Sequence, residues 1–584
     1  MNSAAKTTGL RYWMARVLEE CDHVSADFND DPVHDLRVAM RRCRSLADGM
    51  MAMDPDRDWK AMKKAGKRLF QRLGDLRDVQ IMMEWIEKLE PSTANVGAGN
   101  SPAPQRAAQH SADSANAAPS TDSAYNNQHN PVAHALLEIL QTRESEQKPE
   151  ARAALDEFDR KQWRQWSQSL PLRAARIRPG SAVFKHLALE RWTAARELHT
   201  RALRNRSQVA FHTLRIGIKR FRYIVENFLP DEHKAWSNGL KHMQDLLGEV
   251  HDLDVLWSTT LSCHVFPDET SRNLWHARIA EERAKRIEEY RRRTAGPDSL
   301  WNVWRAGLPQ GKHIQEIATR RMKVWAKALD PDFAHSERVA RLALELYDGL
   351  NAAELLGSVK SKRVPHVSPP LRDVGGGLCA STSESRIADL NGSSADARAC
   401  LYLAAVLHDV GKSRGNKGHH KESLALIKAH GTPLGWKAEN MALAAIVARF
   451  HCGALPTRSH KALRDLLPDE QKITIQLAAI LRLANALDAA HNGHIRRVRI
   501  ENAHAQSDHR NRRTNGFLRK PAKLAPNEAL VIAAEGFVAG SPTAQAVAAE
   551  RYLLETVLRR PVAVKAMKSA ISWPAGTPGK TKSR

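Results

Sequence analysis

Apolar residues recur at intervals of three and four along most of this chain, and this spacing predicts a mainly α-helical fold. Two stretches interrupt the pattern. Residues 91–131 are rich in Ala, Ser, Asn, Pro and Gln, and residues 357–396 carry Pro, Gly and Ser runs. Because neither stretch holds enough apolar surface to form a core, we predict a disordered insertion at each.

The same pattern divides the chain into segments. We predict a helical domain over 1–310, a second helical domain over 315–500, a small α/β appendage over 501–565 and a disordered basic tail over 566–584. The appendage is predicted from strand-like runs at 495–500, 529–538 and 562–565, with an amphipathic helix between the last two.

A helix predicted over 33–50 has two chemically different faces. Its apolar residues fall on one side, and the opposite side carries His34, Arg37, Arg41 and Arg44. A second helix, predicted over 59–73, has another basic side that includes Lys64 and Lys67. A solvated surface would explain one such helix, so the basic residues become informative only if the pattern repeats.

The pattern does repeat, because residues 211–228 align without a gap to residues 33–50. The basic positions of the second copy are His212, Arg215, Lys219 and Arg222. Downstream of each copy, a Leu-Gly pair and an acidic residue precede Asp78 or Asp252. We infer an internal duplication whose halves line one groove, where guanidinium groups bind phosphate oxygens. The alternative is that both basic faces are merely solvated.

Composition supports an anionic partner. The formal net charge is +24 and the sequence pI is about 9.9, which favours nucleic acid, polyphosphate or anionic lipid without distinguishing them. The six cysteines are scattered without CxxC spacing, which argues against a disulfide framework or a thiolate zinc site. The sequence shows neither a signal peptide nor a long uncharged apolar run, so we expect a soluble, cytoplasmic protein.

The second domain carries histidines and aspartates in a pattern that predicts a metal centre. His408 and Asp409 are adjacent at the end of an apolar run, and His335 precedes them, although His335 alone could simply neighbour a helix cap. The residues that follow in this pattern are His420, His451 and Asp488. Imidazoles and carboxylates suit one or two divalent cations such as Mn, Mg, Fe, Ni or Zn.

Such a cation would acidify a bound water and neutralise charge on a phosphoryl group. We therefore predict Asp409 as a catalytic residue. Three basic residues of this domain are candidates for holding the phosphate, Lys412, Arg449 and Arg482, and we predict Lys412 and Arg449 as catalytic residues together with Asp409.

The paired basic helices, each followed by an LG(D/E)xxDxxV-like segment, resemble the CHAD domain over roughly residues 8–310. The resemblance implies a duplicated all-helical domain that binds inorganic polyphosphate in a basic channel, through the His, Arg and Lys positions of both copies. Localisation at polyphosphate granules would follow from such binding.

The motifs HDVGKSRGNKGHHKESLALI, ARFHCGALP and LRLANALDAAH resemble the HD-domain phosphohydrolases, and more narrowly the C-terminal part of the exopolyphosphatase and guanosine pentaphosphate phosphatase (Ppx/GppA) family. The resemblance implies a minimal ligand set of His335, His408, Asp409 and Asp488. It adds His420 and His451 for a second metal, with His419 competing for the place of His420. The ATPase-fold domain that performs the chemistry in that family does not precede this region.

Three functional hypotheses follow. The first is a metal-dependent phosphohydrolase that acts on polyphosphate or a phosphorylated nucleotide such as guanosine penta- or tetraphosphate. The second is a non-catalytic polyphosphate-binding or regulatory protein. Nucleic-acid binding is weaker, because aromatic residues that stack on bases do not alternate with the charges. The sequence leaves the oligomeric state open.

Overall fold

The computed structural model describes residues 9–26, 28, 30–89, 131–356, 394–501 and 528–567. It separates into two compact units, Met1–His313 and Ile314–Arg584. The described residues are mainly helical with one small sheet near the C-terminus, which confirms the predicted fold class. The two predicted insertions and the tail lie outside the described residues, apart from positions at their edges: residue 131, residues 394–396 and residues 566–567.

The first unit is built from helices alone in its described part. They are α1 (Leu10–Ala26), α2 (Asp30–Met50), α3 (Arg57–Ala65), α4 (Lys67–Leu89), α5 (Pro131–Asp156), α6 (Arg160–Ala174), α7 (Ala182–Asn205), α8 (Gln208–Phe228), α9 (Pro230–Ser262), α10 (Glu269–Thr294) and α11 (Leu300–Ala306).

The single helix predicted over 59–73 is wrong, because the chain breaks at Gly66 between α3 and α4. The Gly66 N–H caps α3 by donating to the carbonyls of Met62 and Lys64. A side chain at Gly66 would lie 2.8 Å from the terminal methyl of Met40 on α2. The close approach of α2 therefore favours glycine at the break.

The duplication has a direct structural counterpart. Helix α2 packs on α1 as α8 packs on α7, and α4 packs on α5 as α9 packs on α10. The two halves meet where α2 contacts α8 and α4 contacts α9. The apolar faces of α2 and α8 are buried, including Leu36 and Met40 in one copy and Leu214 and Ile218 in the other. Four helices with repeated motifs therefore converge at the centre of this unit.

The second unit also consists mainly of helices. Its helices are α12 (His313–Leu329), α13 (Phe333–Ala352), α14 (Ser394–Leu407), α15 (His419–His430), α16 (Ala438–Arg449), α17 (Lys461–Arg464), α18 (Pro468–Leu487) and α19 (Pro542–Leu558). A short 3₁₀ helix, Val410–Arg414, follows α14. No helix in the described part of either unit combines the length and apolar character needed to cross a bilayer.

The sheet has three strands in the order β1 (Val498–Glu501), β2 (Leu530–Ala534) and β3 (Val562–Ala566). Strands β1 and β2 are antiparallel, with Val498 opposite Ala534, whereas β2 and β3 are parallel. Helix α19 connects the parallel pair and packs on α18, which joins the sheet to the helical core. This arrangement confirms the predicted α/β appendage.

The turn after α14 determines where the next side chains point. Residues Leu403–Leu407 are fully or almost fully buried, so His408 and Asp409 emerge from inside the core. The Gly411 N–H donates to Ser423 Oγ at 2.9 Å, and that hydroxyl donates to the His408 carbonyl at 2.6 Å. The turn is therefore fixed to α15 by hydrogen bonds on both sides of Asp409.

We predict that Gly411→Ala destabilises the second unit by about 3 kcal/mol. The added methyl would lie against the His419 carbonyl and 2.5 Å from the Ser423 nitrogen, and backbone atoms move aside only with the helix that carries them. Gly418→Ala is the matched control, since Gly418 is left-handed (φ 75°, ψ 13°) but has no atom within 4 Å of an added methyl. Its cost should be about 1 kcal/mol. Thermal unfolding of both variants tests this, and equal losses would contradict it.

Candidate metal centre and basic cluster

Four basic side chains from both copies of the repeat approach one another at the centre of the first unit. We call them the basic cluster: Arg37 and Arg41 of α2, and Arg215 and Lys219 of α8. The mutual repulsion of their charges affects Lys219, whose pKa is lowered to about 8 by burial and by Arg215 and Arg41. The convergence of four like charges is typical of a site that binds an anion.

Two members of the basic cluster have buried nitrogen atoms without partners. Arg37 Nη1 and Arg215 Nε form no hydrogen bond with any residue that the structure describes. Glycines face both groups, since a methyl at Gly74 would lie 2.9 Å from Arg37 Nη1 and one at Gly248 would lie 3.9 Å from Arg215 Nε. The Leu-Gly pairs seen in the sequence thus leave room beside each arginine.

The aspartates of the repeated motif lie beside the same cations. Burial raises the pKa of Asp78, and Arg37 and Arg215 oppose that rise. Burial also raises the pKa of Asp252 to about 6, against the opposing charge of Arg215. These acids were not among the predicted site residues, because they come from α4 and α9 rather than from the basic helices.

The remaining predicted polyphosphate-binding residues have different surroundings. His34 lies at the surface, and partial burial of its ring, together with the charge of Arg41, lowers its pKa. His212 Nδ1 lies 3.2 Å from His251 Nδ1. Arg44 donates to the Lys63 carbonyl at 2.6 Å, and Arg222 lies 3.8 Å from Glu226. Lys64 and Lys67 are exposed on α3 and α4. Their participation stays a prediction.

In the second unit, His408 and Asp409 form the centre of a buried polar group. His408 Nδ1 donates to the Ala405 carbonyl at 2.7 Å, so the neutral ring has its lone pair on Nε2, 3.3 Å from Asp409 Oδ2, and the protonated ring directs an N–H there instead. Burial opposes the charge of Asp409, but His408 and further cationic neighbours outweigh it and lower the pKa of Asp409. The carboxylate is therefore ionised, as a metal ligand must be.

His335 reaches this group from α13. Its ligand atom lies within 4.8 Å of those of His408 and Asp409. The Asp332 carboxylate accepts a hydrogen bond from the backbone N–H of His335 at 3.2 Å. His335 therefore also lies next to the cap of its helix, as the simpler interpretation of the sequence expected. Its ring stacks on His491 with centroids 3.8 Å apart, a contact that the sequence did not reveal.

Asp488 lies behind His335. Its Oδ2 accepts from His335 Nδ1 and from Arg338 Nε, both at 2.8 Å, and its Oδ1 accepts from the Gly493 N–H at 3.1 Å. In this arrangement Asp488 orients the imidazole of His335, as carboxylates often do for metal-binding histidines. Its role as a direct ligand stays a prediction.

Of the two neighbouring histidines at the start of α15, His419 makes the contacts with the buried group. Its Nε2 lies 3.0 Å from His451 Nε2 and 3.3 Å from Asp409 Oδ1. His420 Nδ1 lies 3.5 Å from Cys452 Sγ, and burial together with Arg449 lowers the pKa of His420 to about 4. The structure thus places His419, rather than the predicted His420, beside Asp409 and His451, and which of the two binds metal stays a prediction.

The predicted phosphate-holding residues differ in their availability. Lys412 Nζ lies 2.5 Å from Asp409 Oδ2. Arg449 has a buried Nη1 without a partner among the described residues. Arg482 is 4% exposed and binds Glu550 at 2.7 Å and the carbonyls of Phe450 and Gly453. Arg482 therefore holds the turn that carries His451 and Cys452.

The donor atoms of this group fit a divalent cation. His408 Nε2 and Asp409 Oδ1 are buried without a well-aligned hydrogen bond among the described residues, and their contacts with Asp409 Oδ2 and His419 Nε2 are 3.3 Å long. Buried polar atoms normally find a partner, so two such atoms in one place indicate a binding site. The donor set of imidazole and carboxylate suits Mn, Fe, Ni or Zn, while Mg would use the carboxylate.

Two family models match the chain. Residues 10–260 match the CHAD domain, and residues 378–529 match the Ppx/GppA phosphatase, domain III. Both families were expected from the sequence motifs, and both expectations are confirmed. The second match includes His408, Asp409, His451 and Asp488 and begins after His335. No curated protein matches the chain significantly. The two domains indicate a function related to polyphosphate or phosphate.

We predict that Asp252→Asn stabilises the first unit at pH 7.5 by about 2 kcal/mol. Between pH 4 and 6 the folded protein keeps a proton on Asp252 that the unfolded chain has released, so stability falls as the pH rises through this range. The gain from the substitution should therefore shrink as the pH falls below 6 and vanish below 4. Thermal melts across this range test it, with the exposed Glu146→Gln as control. A gain that does not change with pH would contradict it.

Proposed function

We propose that this protein binds inorganic polyphosphate and hydrolyses a phosphate compound in a metal-dependent reaction, because the chain carries a CHAD domain and a Ppx/GppA domain III. The substrate would be polyphosphate itself or a phosphorylated guanosine nucleotide such as guanosine penta- or tetraphosphate. The observation that carries the proposal is the convergence of three buried ligand atoms, from His335, His408 and Asp409, within 4.8 Å of one another.

Binding of polyphosphate is supported by the chemistry of the basic cluster. A polyphosphate carries one negative charge or more per phosphate along a flexible chain without bases, so its recognition needs charge and hydrogen-bond donors but no aromatic stacking. Arg37 and Arg215 offer unpartnered guanidinium nitrogens, which bind phosphate oxygens through strong, directed hydrogen bonds. An anion beside Lys219 would also favour the protonated form of that lysine.

Hydrolysis is supported by the arrangement around Asp409. His335, His408 and Asp409 would hold the cation, with Asp488 orienting His335. A divalent cation supplies Lewis-acid stabilisation of phosphoryl charge and lowers the pKa of water. Lys412 and Arg449 would contribute positive charge to a bound phosphate, and Arg449 has a nitrogen free for this role among the described contacts.

A specific contact favours a second candidate function, in which the chain only binds or regulates. The ammonium group of Lys412 lies 2.5 Å from Asp409 Oδ2 and neutralises a carboxylate that a metal would otherwise use. In this alternative the second unit is structural, and the protein associates with polyphosphate granules in the cytoplasm through its first unit. Nucleic acid would compete only through general charge attraction.

For polyphosphate binding, we predict that Arg37→Gln with Arg215→Gln weakens affinity by about 100-fold, because each guanidinium group contributes about 1.5 kcal/mol. The plot of log K against log salt should also become shallower by about one unit for each arginine replaced. Arg176→Gln with Arg178→Gln removes the same charge from exposed positions and serves as the control. Fluorescence anisotropy with labelled polyphosphate measures both quantities. Equal effects of the two pairs would mean that the basic cluster is not the binding site.

For hydrolysis, we predict that Asp409→Asn lowers phosphate release by about 1000-fold, which corresponds to about 4 kcal/mol, and leaves polyphosphate affinity unchanged. The assay offers long-chain polyphosphate and guanosine tetra- and pentaphosphate to protein loaded with Mn or Mg. Asp348→Asn, which alters an exposed ion pair with Arg398, is the control in the same unit. If wild-type protein loaded with Mn, Mg, Fe, Ni or Zn releases phosphate from none of these compounds, the binding-only alternative replaces the enzyme.

A further inference from the structure

A second group of ligand atoms lies directly beside Asp409. His419 Nε2, His451 Nε2 and Cys452 Sγ come within 4.8 Å of one another. This group contains a thiol, which distinguishes it from the group formed by His335, His408 and Asp409. The cysteine was not predicted to bind metal, because it has no second cysteine at CxxC spacing.

The distances within this group correspond to those around a tetrahedral cation. Bonds of about 2.0 Å to nitrogen and about 2.3 Å to sulfur separate ligand atoms by about 3.3–3.6 Å in a tetrahedral zinc site. The two imidazole Nε2 atoms are 3.0 Å apart, and Cys452 Sγ is 3.7 Å from His419 Nε2. Asp409 Oδ1 lies 3.3 Å from His419 Nε2 and 3.6 Å from His451 Nε2. His419 Nε2 thus lies at nearly the required separation from each of the other three donor atoms.

The tautomers of both histidines direct lone pairs toward this position. His419 Nδ1 donates to the Asn416 carbonyl at 2.8 Å, and His451 Nδ1 donates to the Ala448 carbonyl at 2.7 Å. Since a carbonyl can only accept, each neutral ring keeps its lone pair on Nε2. Two lone pairs facing each other repel, and a shared cation removes that repulsion. A backbone carbonyl on the other ring nitrogen is also the usual support of a metal-binding histidine.

The turn that carries two of these ligands is held in place. Arg482 donates to the Phe450 carbonyl at 3.1 Å and to the Gly453 carbonyl at 3.0 Å, one on each side of His451 and Cys452. Gly453 has a φ of 73° and approaches the His420 ring, where a methyl would lie 3.3 Å from Cε1. The ligands are therefore positioned by buried contacts of the fold.

The family resemblance already implies a second metal bound by His451 and by His419 or His420; we propose that the Cys452 thiolate is a further direct ligand of that cation, beside His419, His451 and Oδ1 of Asp409. A mixed nitrogen and sulfur set selects zinc, iron(II) or cobalt(II) over magnesium. The inference rests on the proposed metal centre in one respect, because the two cations share Asp409.

Cobalt(II) tests the thiolate ligand without any measurement of activity. Protein stripped of metal and loaded with cobalt under nitrogen should show the intense near-ultraviolet charge-transfer absorption of a cobalt–thiolate bond. Cys452→Ser should lose this absorption and a second equivalent of bound cobalt. Cys263→Ser, at a half-buried cysteine of the first unit, should keep both. The absence of the band in wild-type protein, or its persistence in Cys452→Ser, overturns the inference.

A second measurement uses only wild-type protein, in case Cys452→Ser does not fold. Zinc loading should slow the alkylation of Cys452 by iodoacetamide by at least about 10-fold, as followed by mass spectrometry, and leave the alkylation of Cys263 unchanged. Equal rates at Cys452 with and without zinc overturn the inference. The thiolate measurement and the phosphate-release assay test different proposals. A thiolate band without phosphate release rejects the proposed enzyme. Phosphate release without a thiolate band rejects only the Cys452 ligand.

Discussion

A carboxylate inside an apolar core must be compensated by opposite charge, and the second unit is organised around one such group. Asp409 is 2% exposed and follows the fully buried end of α14. Lys412 supplies a positive charge at one oxygen, and the Nε2 atoms of His408, His419 and His451, which surround the carboxylate, add positive charge when they are protonated or hold a cation. Removing the compensation of a buried charge costs about 3–5 kcal/mol. The requirement to neutralise Asp409 therefore determines where the surrounding helix ends and turns must lie.

The first unit presents the opposite electrostatic situation. The duplication brings two copies of one basic helix face together, so that Arg37 and Arg215 converge with Asp78 and Asp252 as partial compensation. The residual positive charge is tolerated because these side chains are only half-buried and remain in contact with water. One unit thus carries an excess of cations, and the other a carboxylate surrounded by imidazoles. Both arrangements are suited to phosphate compounds, the first directly and the second through a bound metal.

If both proposals hold, a single chain combines retention of a polyanion with its hydrolysis. Because the two units belong to one chain, a polymer bound to the first is held at a raised local concentration for the second, as in other linked binding modules. The contact between Lys412 and Asp409 bears directly on this view, because it must open or rearrange when a cation binds to that oxygen. A Cys452 thiolate ligand would also make the second cation site prefer zinc, iron(II) or cobalt(II) to magnesium.

The helical fold, the duplication and the pairing of His408 with Asp409 could be predicted from the sequence, because apolar periodicity and adjacent motifs are local properties of the chain. Only the tertiary structure shows that His419, rather than His420, lies beside Asp409 and His451, since successive side chains on a helix point about 100° apart. It also brought Cys452 beside His419, placed Asp488 behind His335, and assigned Arg482 to a supporting turn. These contacts join residues far apart in the chain, and no local pattern encodes them.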